Sequence, residues 1–226
     1  DPVDLKFKES KDANRLIEEF MLMANKKVAE LFNEIKQQKY IFRTHDLPDK
    51  EKLKSLKTII KSFGYTLDLS SKKGISSSLN KLLKEVKGKQ EQNLIESLAL
   101  RSMSKAEYST NNIGHYGLAF DNYTHFTSPI RRYPDVLVHR LVQYILDKKY
   151  RKLDKSLQKK AEYCSKQEYN AVKAERESVK FMLIKFMENE VGNTFKGIIS
   201  GVSDWGLYVE LDANKCEGMV HVKDIE

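Results

Sequence analysis

Arg131 and Arg132 stand directly behind Ser128-Pro129-Ile130. Ser128 has the short oxygen-bearing side chain of a helix N-cap, and Pro129 is the preferred first helical residue. The stretch therefore predicts a helix start. Helix starts carry unpaired N–H groups and the positive end of the helix dipole. Positive side chains in that first turn oppose the dipole, so two of them point to an anion held in front of the helix. A guanidinium can grip a phosphate through two parallel hydrogen bonds. Tyr123, His125, Phe126 and Tyr133 flank the pair, and aromatic faces accept stacked bases. The same residues also fit a purely structural reading, in which the arginines pair with Asp135 or other carboxylates and the aromatics fill the core.

The elements that would position this segment are mostly helical. Ile17, Phe20, Met21, Ala24, Val28, Leu31, Phe32 and Ile35 recur at helical spacing and predict one buried stripe on a helix from about Ser10 to Gln38. Tyr40 to His45 is a short strand candidate. Pro48 opens a helix running to about Phe63, with Leu53, Leu56, Ile59 and Ile60 inward and Gly64 at its end. Helices are expected over 75–87 and 90–103. Tyr116, Leu118 and Phe120 alternate with small or polar neighbours, which predicts a strand over 114–126. The helix opened by Ser128-Pro129 carries Ile130, Leu137, Leu141, Tyr144 and Ile145 inward. A long helix spans about 154–188. After Gly192 the composition changes, and strands are expected at Phe195–Val202, Leu207–Leu211 and Met219–Val222, with a turn at Ser203–Gly206.

Composition narrows the classes. The 226 residues suit one large domain, or one with a smaller companion, and 40% hydrophobic residues with 11 tyrosines suffice for a core. A net charge of +8 favours polyanionic partners such as nucleic acid, although many lysine-rich proteins bind none. Cys164 and Cys216 lie far apart and form no CxxC pair, which suggests reduced thiols in a cytoplasmic protein rather than a disulfide scaffold or zinc site. The histidines show no metal-ligand spacing. No apolar run approaches a membrane span. The chain starts at Asp1 and ends within a strand pattern at Glu226, so a fragment of a longer protein is expected.

Several segments together carry a resemblance. His115-Tyr-Gly-Leu-Ala119, Tyr123-Thr-His-Phe-Thr-Ser-Pro-Ile-Arg-Arg-Tyr-Pro-Asp135 and His139-Arg140 closely resemble the catalytic RNB domain of the RNase II/RNase R family. Arg15 to Asn25 resembles the family's helix ahead of the active site, and Phe42 to Asp46 with Pro48 its following strand and turn. Leu98 to Met103 and Ala174 to Glu177 also fit. Val191 to Ser200 resembles the lead-in to the family's RNA-binding OB domain of the ribosomal-protein type. Ile130 to Pro134 is more similar to the bacterial RNase R branch than to RNase II.

The resemblance implies an α+β fold: the mostly helical C-terminal part of an RNB domain over 1–190, then an incomplete OB-type β domain over 191–226. It implies a processive exoribonuclease that hydrolyses single-stranded RNA from the 3′ end to nucleoside 5′-monophosphates, with Mg2+ ions activating the water and stabilising the leaving oxygen. Arg131 matches the family arginine that binds the scissile phosphate, and Arg132 is its neighbour. Glu18 and Glu175 match glutamates that accept hydrogen bonds from the terminal ribose. The residues alone agree in part for Glu175, which shares the apolar line of its helix with Cys164, Glu168, Ala171, Val179, Met182 and Phe186. A carboxylate on such a line is either functional or ion-paired. Glu18 lies at the edge of its stripe, where a solvated face is the simpler reading.

Two departures limit what the resemblance implies. The family's metal-binding aspartate cluster has no counterpart, since Asp46 and Asp49 are separated by Pro48 and fall in the wrong segment. This chain is thus expected to carry the phosphate and ribose wall of the active site without metal ligands, and to be inactive alone. The OB barrel needs about five strands, and about three are present. Phe195, Trp205 and Tyr208 are its candidate RNA-stacking residues; core is the simpler role for most of them, with Trp205 the one expected in the open. A monomer binding single-stranded RNA, without membrane attachment, is the expected form. The alternatives are a non-catalytic RNA-binding module or degenerate homologue, and a basic helical scaffold for protein partners.

Overall fold

A computed structural model describes residues 2–7, 9–35, 39–149 and 156–225. Among the described residues six α-helices and two small antiparallel sheets make up most of the regular structure. The chain divides into two compact units: Lys8–Leu47 with Ser104–Lys173, and Asp1–Phe7 with Pro48–Met103 and Ala174–Glu226.

The first unit holds α1 (Asp12–Glu34), β1 (Phe42–His45), β2 (Ala106–Ser109), α5 (Tyr133–Leu146) and the first part of α6 (Leu157–Met187). Its core is Ala29, Phe32, Tyr40, Ile41, Phe42, Tyr108, Leu137, Val138, Leu157 and Ala161. Phe32 and Tyr40 stack with ring centroids 4.2 Å apart. Of the stripe predicted on α1 only Phe32 is fully buried, beside Ala29, which was not in it; Ile17 and Phe20 are exposed. Residues 36–38 and 154–155, predicted as helix, lie outside the described residues.

Two expectations near the arginines are corrected. Residues 114–126 do not form a strand. Gly114 adopts φ +78° and Ala119 φ 55°, both left-handed, and Tyr116–Leu118 winds into a single 3-10 turn. The left-handed positions end any extended run, so the alternation of Tyr116, Leu118 and Phe120 reflects a folded-back loop. The strand that pairs with β1 is instead β2, in the register Phe42↔Ser109 to His45↔Ala106. β1 is also held by the carbonyls of Tyr123 and Gly114, which accept from the Arg43 and His45 N–H groups at 2.9 and 3.0 Å.

The second correction concerns the helix start. α5 begins at Tyr133, with Arg132 at the cap position and Pro134 in the first turn. Ser128 to Arg131 forms a separate turn, closed by the Ser128 carbonyl accepting from Arg131 N–H at 3.3 Å and Arg132 N–H at 3.0 Å. Pro134 explains this. A helix begun at Pro129 would place Pro134 inside it, where the ring clashes with the preceding turn and no N–H is available.

In the second unit α2 (Lys50–Ser62), α3 (Lys72–Glu85) and α4 (Gln92–Ser102) pack around Leu53, Leu56, Ile60, Leu79, Leu82, Val86 and Ile95. Asp49 and Ser71 cap α2 and α3 by accepting from Lys52 and Gly74 N–H groups at 2.9 and 3.0 Å. The strands β3 (Gly197–Ser203), β4 (Gly206–Leu211) and β5 (Glu217–His221) form a three-stranded antiparallel meander. Gly206 lets β5 approach β4 closely, because a Cβ there would clash with the Val220 carbonyl oxygen. Ile198, Ile199, Val202, Met219 and Val220 of this sheet are exposed.

Candidate functional site

The loop from Tyr123 to Arg132 connects β1's neighbourhood to α5, and two buried polar side chains hold it. Asn25, on α1, is 3% exposed. Its Oδ1 accepts from the N–H groups of Phe126 at 2.9 Å and Thr127 at 3.2 Å, and its Nδ2 donates to the Tyr123 hydroxyl at 3.1 Å. Asp135, in the first turn of α5, is fully buried. Its Oδ1 accepts from the Ser128 N–H at 2.8 Å and from Arg132 at 2.8 Å. Three consecutive loop N–H groups are thereby satisfied internally. An anion here meets side chains rather than a nest of free backbone donors.

The two arginines differ. Arg132 pairs with Asp135, as the structural reading of the sequence allowed, and its side chain is 18% exposed. Arg131 is exposed and has no carboxylate partner among the described residues. The guanidinium free to meet a phosphate is that of Arg131, and the buried pair beside it fixes the turn that carries it. Tyr133 follows with its ring 53% exposed.

Tyr123 and His125 take a different place from that expected of base platforms. Tyr123 is buried, with its ring edge-on to His115 and His125. His125 is half-buried and shares a 2.8 Å hydrogen bond between Nδ1 and the Tyr108 hydroxyl. Neither ring offers an open face, because each is packed inside the unit. Burial, reinforced by Arg132 and Arg43, pulls the His125 pKa down to about 2, and burial raises that of Tyr108. Burial, with His45 and Arg43 adding repulsion, lowers His115 to about 4. These imidazoles are neutral near pH 7 and hold no anion by charge.

Both ring nitrogens of His45 are engaged. Its Nε2 donates to the Ser104 carbonyl at 2.7 Å, so its Nδ1 accepts from the Gly117 N–H at 2.9 Å. A Cβ at Gly117 would lie 2.9 Å from that nitrogen. Beside it, Arg43 donates to Glu168 at 2.6 Å and lies over the Tyr108 ring at 4.6 Å. Glu168 is the paired carboxylate that the apolar line of α6 implied; the inference made for Glu175 applies two turns earlier.

Glu18 and Glu175 are both exposed. Glu18 lies on the N-terminal half of α1. Glu175 belongs to the second unit and lines a cleft of about 470 Å3 together with Arg176, Lys180, Glu210, Lys215 and Glu217. In the tail Trp205 is 71% exposed, as expected, while Tyr208 and Phe195 are open at 38% and 36%, against the core role that was the simpler expectation. Among the described residues no group of three or more His, Cys, Asp or Glu side chains could hold a metal ion. No described helix is long and apolar enough to cross a membrane.

Asn25 is the residue that sequence reasoning missed. Its signal was a carboxamide one position after Ala24 and three before Val28, on the stripe side of an apolar helix, where an unpaired polar group would be costly.

Residues 1–148 match the RNB domain, and residues 188–226 match the S1 RNA binding domain. The chain belongs to the RNB family. Ribonuclease R 1 of Lactococcus lactis is 39% identical to this RNB chain over 230 residues, covering 100% of the chain and 28% of that protein. The structure of Mycoplasma genitalium RNase R in complex with ribose-methylated single-stranded RNA is similar with TM-score 0.85 and 29% identity, over 97% of this chain and 35% of that one. Yeast Ssd1, a pseudonuclease, is similar with TM-score 0.73 and 26% identity, over 92% of this chain and 26% of that one. The RNB chain spans no more than 35% of any of these three proteins. The mostly helical α+β class and the small antiparallel sheets agree with the expectation from sequence.

Proposed function

We propose that this chain is the phosphate- and ribose-binding part of an RNase R-type 3′-to-5′ exoribonuclease acting on single-stranded RNA. The observation that carries the reading is Arg131: an exposed, unpaired guanidinium, among the described residues, on a turn fixed by buried side chains. In this role Arg131 holds the scissile phosphate through paired N–H donors and offsets charge as the bond breaks. Arg132 and Asp135 set the turn. Tyr133 offers the open ring next to Arg131, and Tyr123 and His125 support the loop from inside. Glu18 and Glu175 accept hydrogen bonds from ribose hydroxyls, and Trp205, Tyr208 and Phe195 contact RNA from the S1-type tail.

We divide the chain functionally at residue 190, with the RNB part before it and the OB-type strands after it. Mg2+ ligands would come from residues outside this chain, so the chain alone does not hydrolyse RNA, and its setting is the cytoplasm. The test has two arms. In the full-length parent with Mg2+, a 5′-labelled single-stranded RNA should shorten progressively from its 3′ end, and Arg131→Ala should abolish most of that shortening. The chain alone should leave the RNA intact. Unchanged turnover in the parent Arg131→Ala variant would contradict the role of Arg131, and degradation by the chain alone would contradict its inactivity. The likeness to a pseudonuclease favours a second reading, an RNA-binding module without turnover. Under that reading the parent binds RNA but leaves it intact.

A further inference from the structure

We infer that Asn25 is a positioning residue for RNA binding, acting through the loop that presents Arg131; the inference rests on the reading of Arg131 given above. Asn25 is on α1, far from Arg131 in sequence, and is 3% exposed, so its amide does not itself meet a ligand. Its three hydrogen bonds all end on the loop: Phe126 N–H, Thr127 N–H and the Tyr123 hydroxyl. The next N–H, that of Ser128, goes to Asp135, and the Ser128 carbonyl in turn receives the N–H groups of Arg131 and Arg132. Asn25 thus fixes the backbone up to Thr127, and the next residue along the chain, Ser128, carries the carbonyl that receives the Arg131 N–H.

The chemistry of a carboxamide is what this position needs. One oxygen accepts two neighbouring N–H groups, and the NH2 donates to a phenol oxygen. Leucine, of similar volume and apolar like the neighbouring stripe, would strand two backbone donors in the interior. That penalty is absorbed by a different loop path, and the guanidinium at the loop's end moves with it. A misplacement of about 1 Å is enough to cost a well-oriented site much of its binding or rate. Tyr123 owes its burial to the same arrangement, since its hydroxyl is satisfied by Asn25 rather than by solvent.

The test is a double-mutant cycle on the full chain, read by anisotropy with a fluorescein-labelled single-stranded oligoadenylate and no added metal. Arg131→Ala should weaken binding about tenfold, the loss of one charge-assisted contact. Asn25→Ala should weaken it by a comparable factor, and the double variant should be no weaker than Arg131→Ala alone. Asn25→Asp keeps an acceptor for both N–H groups, and the Tyr123 hydroxyl can turn to donate, so this variant should recover most of the affinity. If Asn25→Ala does not give a native circular dichroism spectrum, Asn25→Ser, whose hydroxyl is too short to bridge both donors, takes its place in the cycle. Losses that multiply in the double variant, or an Asn25 variant that binds like the wild type while Arg131→Ala does not, overturn the inference. Unchanged binding by Arg131→Ala itself would instead overturn the reading of Arg131.

Discussion

The loop 123–132 and the sheet 197–221 are both candidate RNA-contacting regions, and they are built in opposite ways. The loop is tied down from within. Three successive N–H groups end on the buried side chains of Asn25 and Asp135, and the Arg132–Asp135 pair closes the turn. Ile130, Arg131 and Tyr133 are left open. In the sheet the β3–β4 ladder carries a register shift between Ile199 and Gly201, and Gly206 and Asn214 are the buried residues among those described from 197 to 225. Ile199, Val202, Trp205, Tyr208 and Met219 stand in the open. A site that must hold one phosphate in one geometry needs the first construction. A surface that stacks on bases of any identity tolerates the second, because every base presents a similar face.

Removing one partner of the loop's ion pair should have the largest effect. Arg132→Ala leaves the carboxylate of Asp135 buried and uncompensated, and should destabilise the fold by about 3 to 5 kcal/mol in urea unfolding. A loss below about 1 kcal/mol would show that the turn does not depend on the pair. Acid should come next. His115 and His125 have folded pKa values of about 4 and about 2, below the ordinary 6.5, so the unfolded chain takes up protons first as pH falls. Their contribution to stability is fully present above pH 6.5 and is lost as pH falls from there through pH 4 and below. The melting temperature should thus drop with acid from pH 6.5 downward, and the double substitution His115→Gln, His125→Gln should flatten that slope. An equally steep slope in the double variant would place the acid sensitivity elsewhere.

The tail should respond in the reverse sense. Trp205→Ala should leave stability within about 0.5 kcal/mol. RNA affinity should fall by about 1 to 3 kcal/mol, the usual range for one base–aromatic stack. A destabilised tail with unchanged affinity would make Trp205 a packing residue and erase the contrast between the regions.

Much of this was legible in the sequence. The helices of both units followed from apolar spacing, and α2 matched its predicted limits within two residues because Pro48 and Gly64 punctuate it. The strand over 114–126 was misread because left-handed backbone at Gly114 and Ala119 leaves no mark in an alternating pattern, and Ala is a rare occupant of that region. The start of α5 was misread because two prolines compete for it, and only the interior penalty at Pro134 decides between them. The arginines were visible as a pair, but their division of labour was not. It depends on Asp135 being buried, which three residues of spacing do not reveal. Asn25 stood out only as a carboxamide on an apolar stripe; what it holds was not legible, because its partners lie about a hundred residues away.

The central claim is that Arg131 is a phosphate-holding guanidinium on a preformed loop. The most direct measurement is the salt dependence of single-stranded RNA binding by the wild-type chain and by Arg131→Ala. Losing one phosphate contact should lower the affinity and reduce the slope of log K against log salt by about 0.7, with the melting temperature unchanged. Parallel slopes and equal affinities would mean that Arg131 touches no phosphate and would contradict the account.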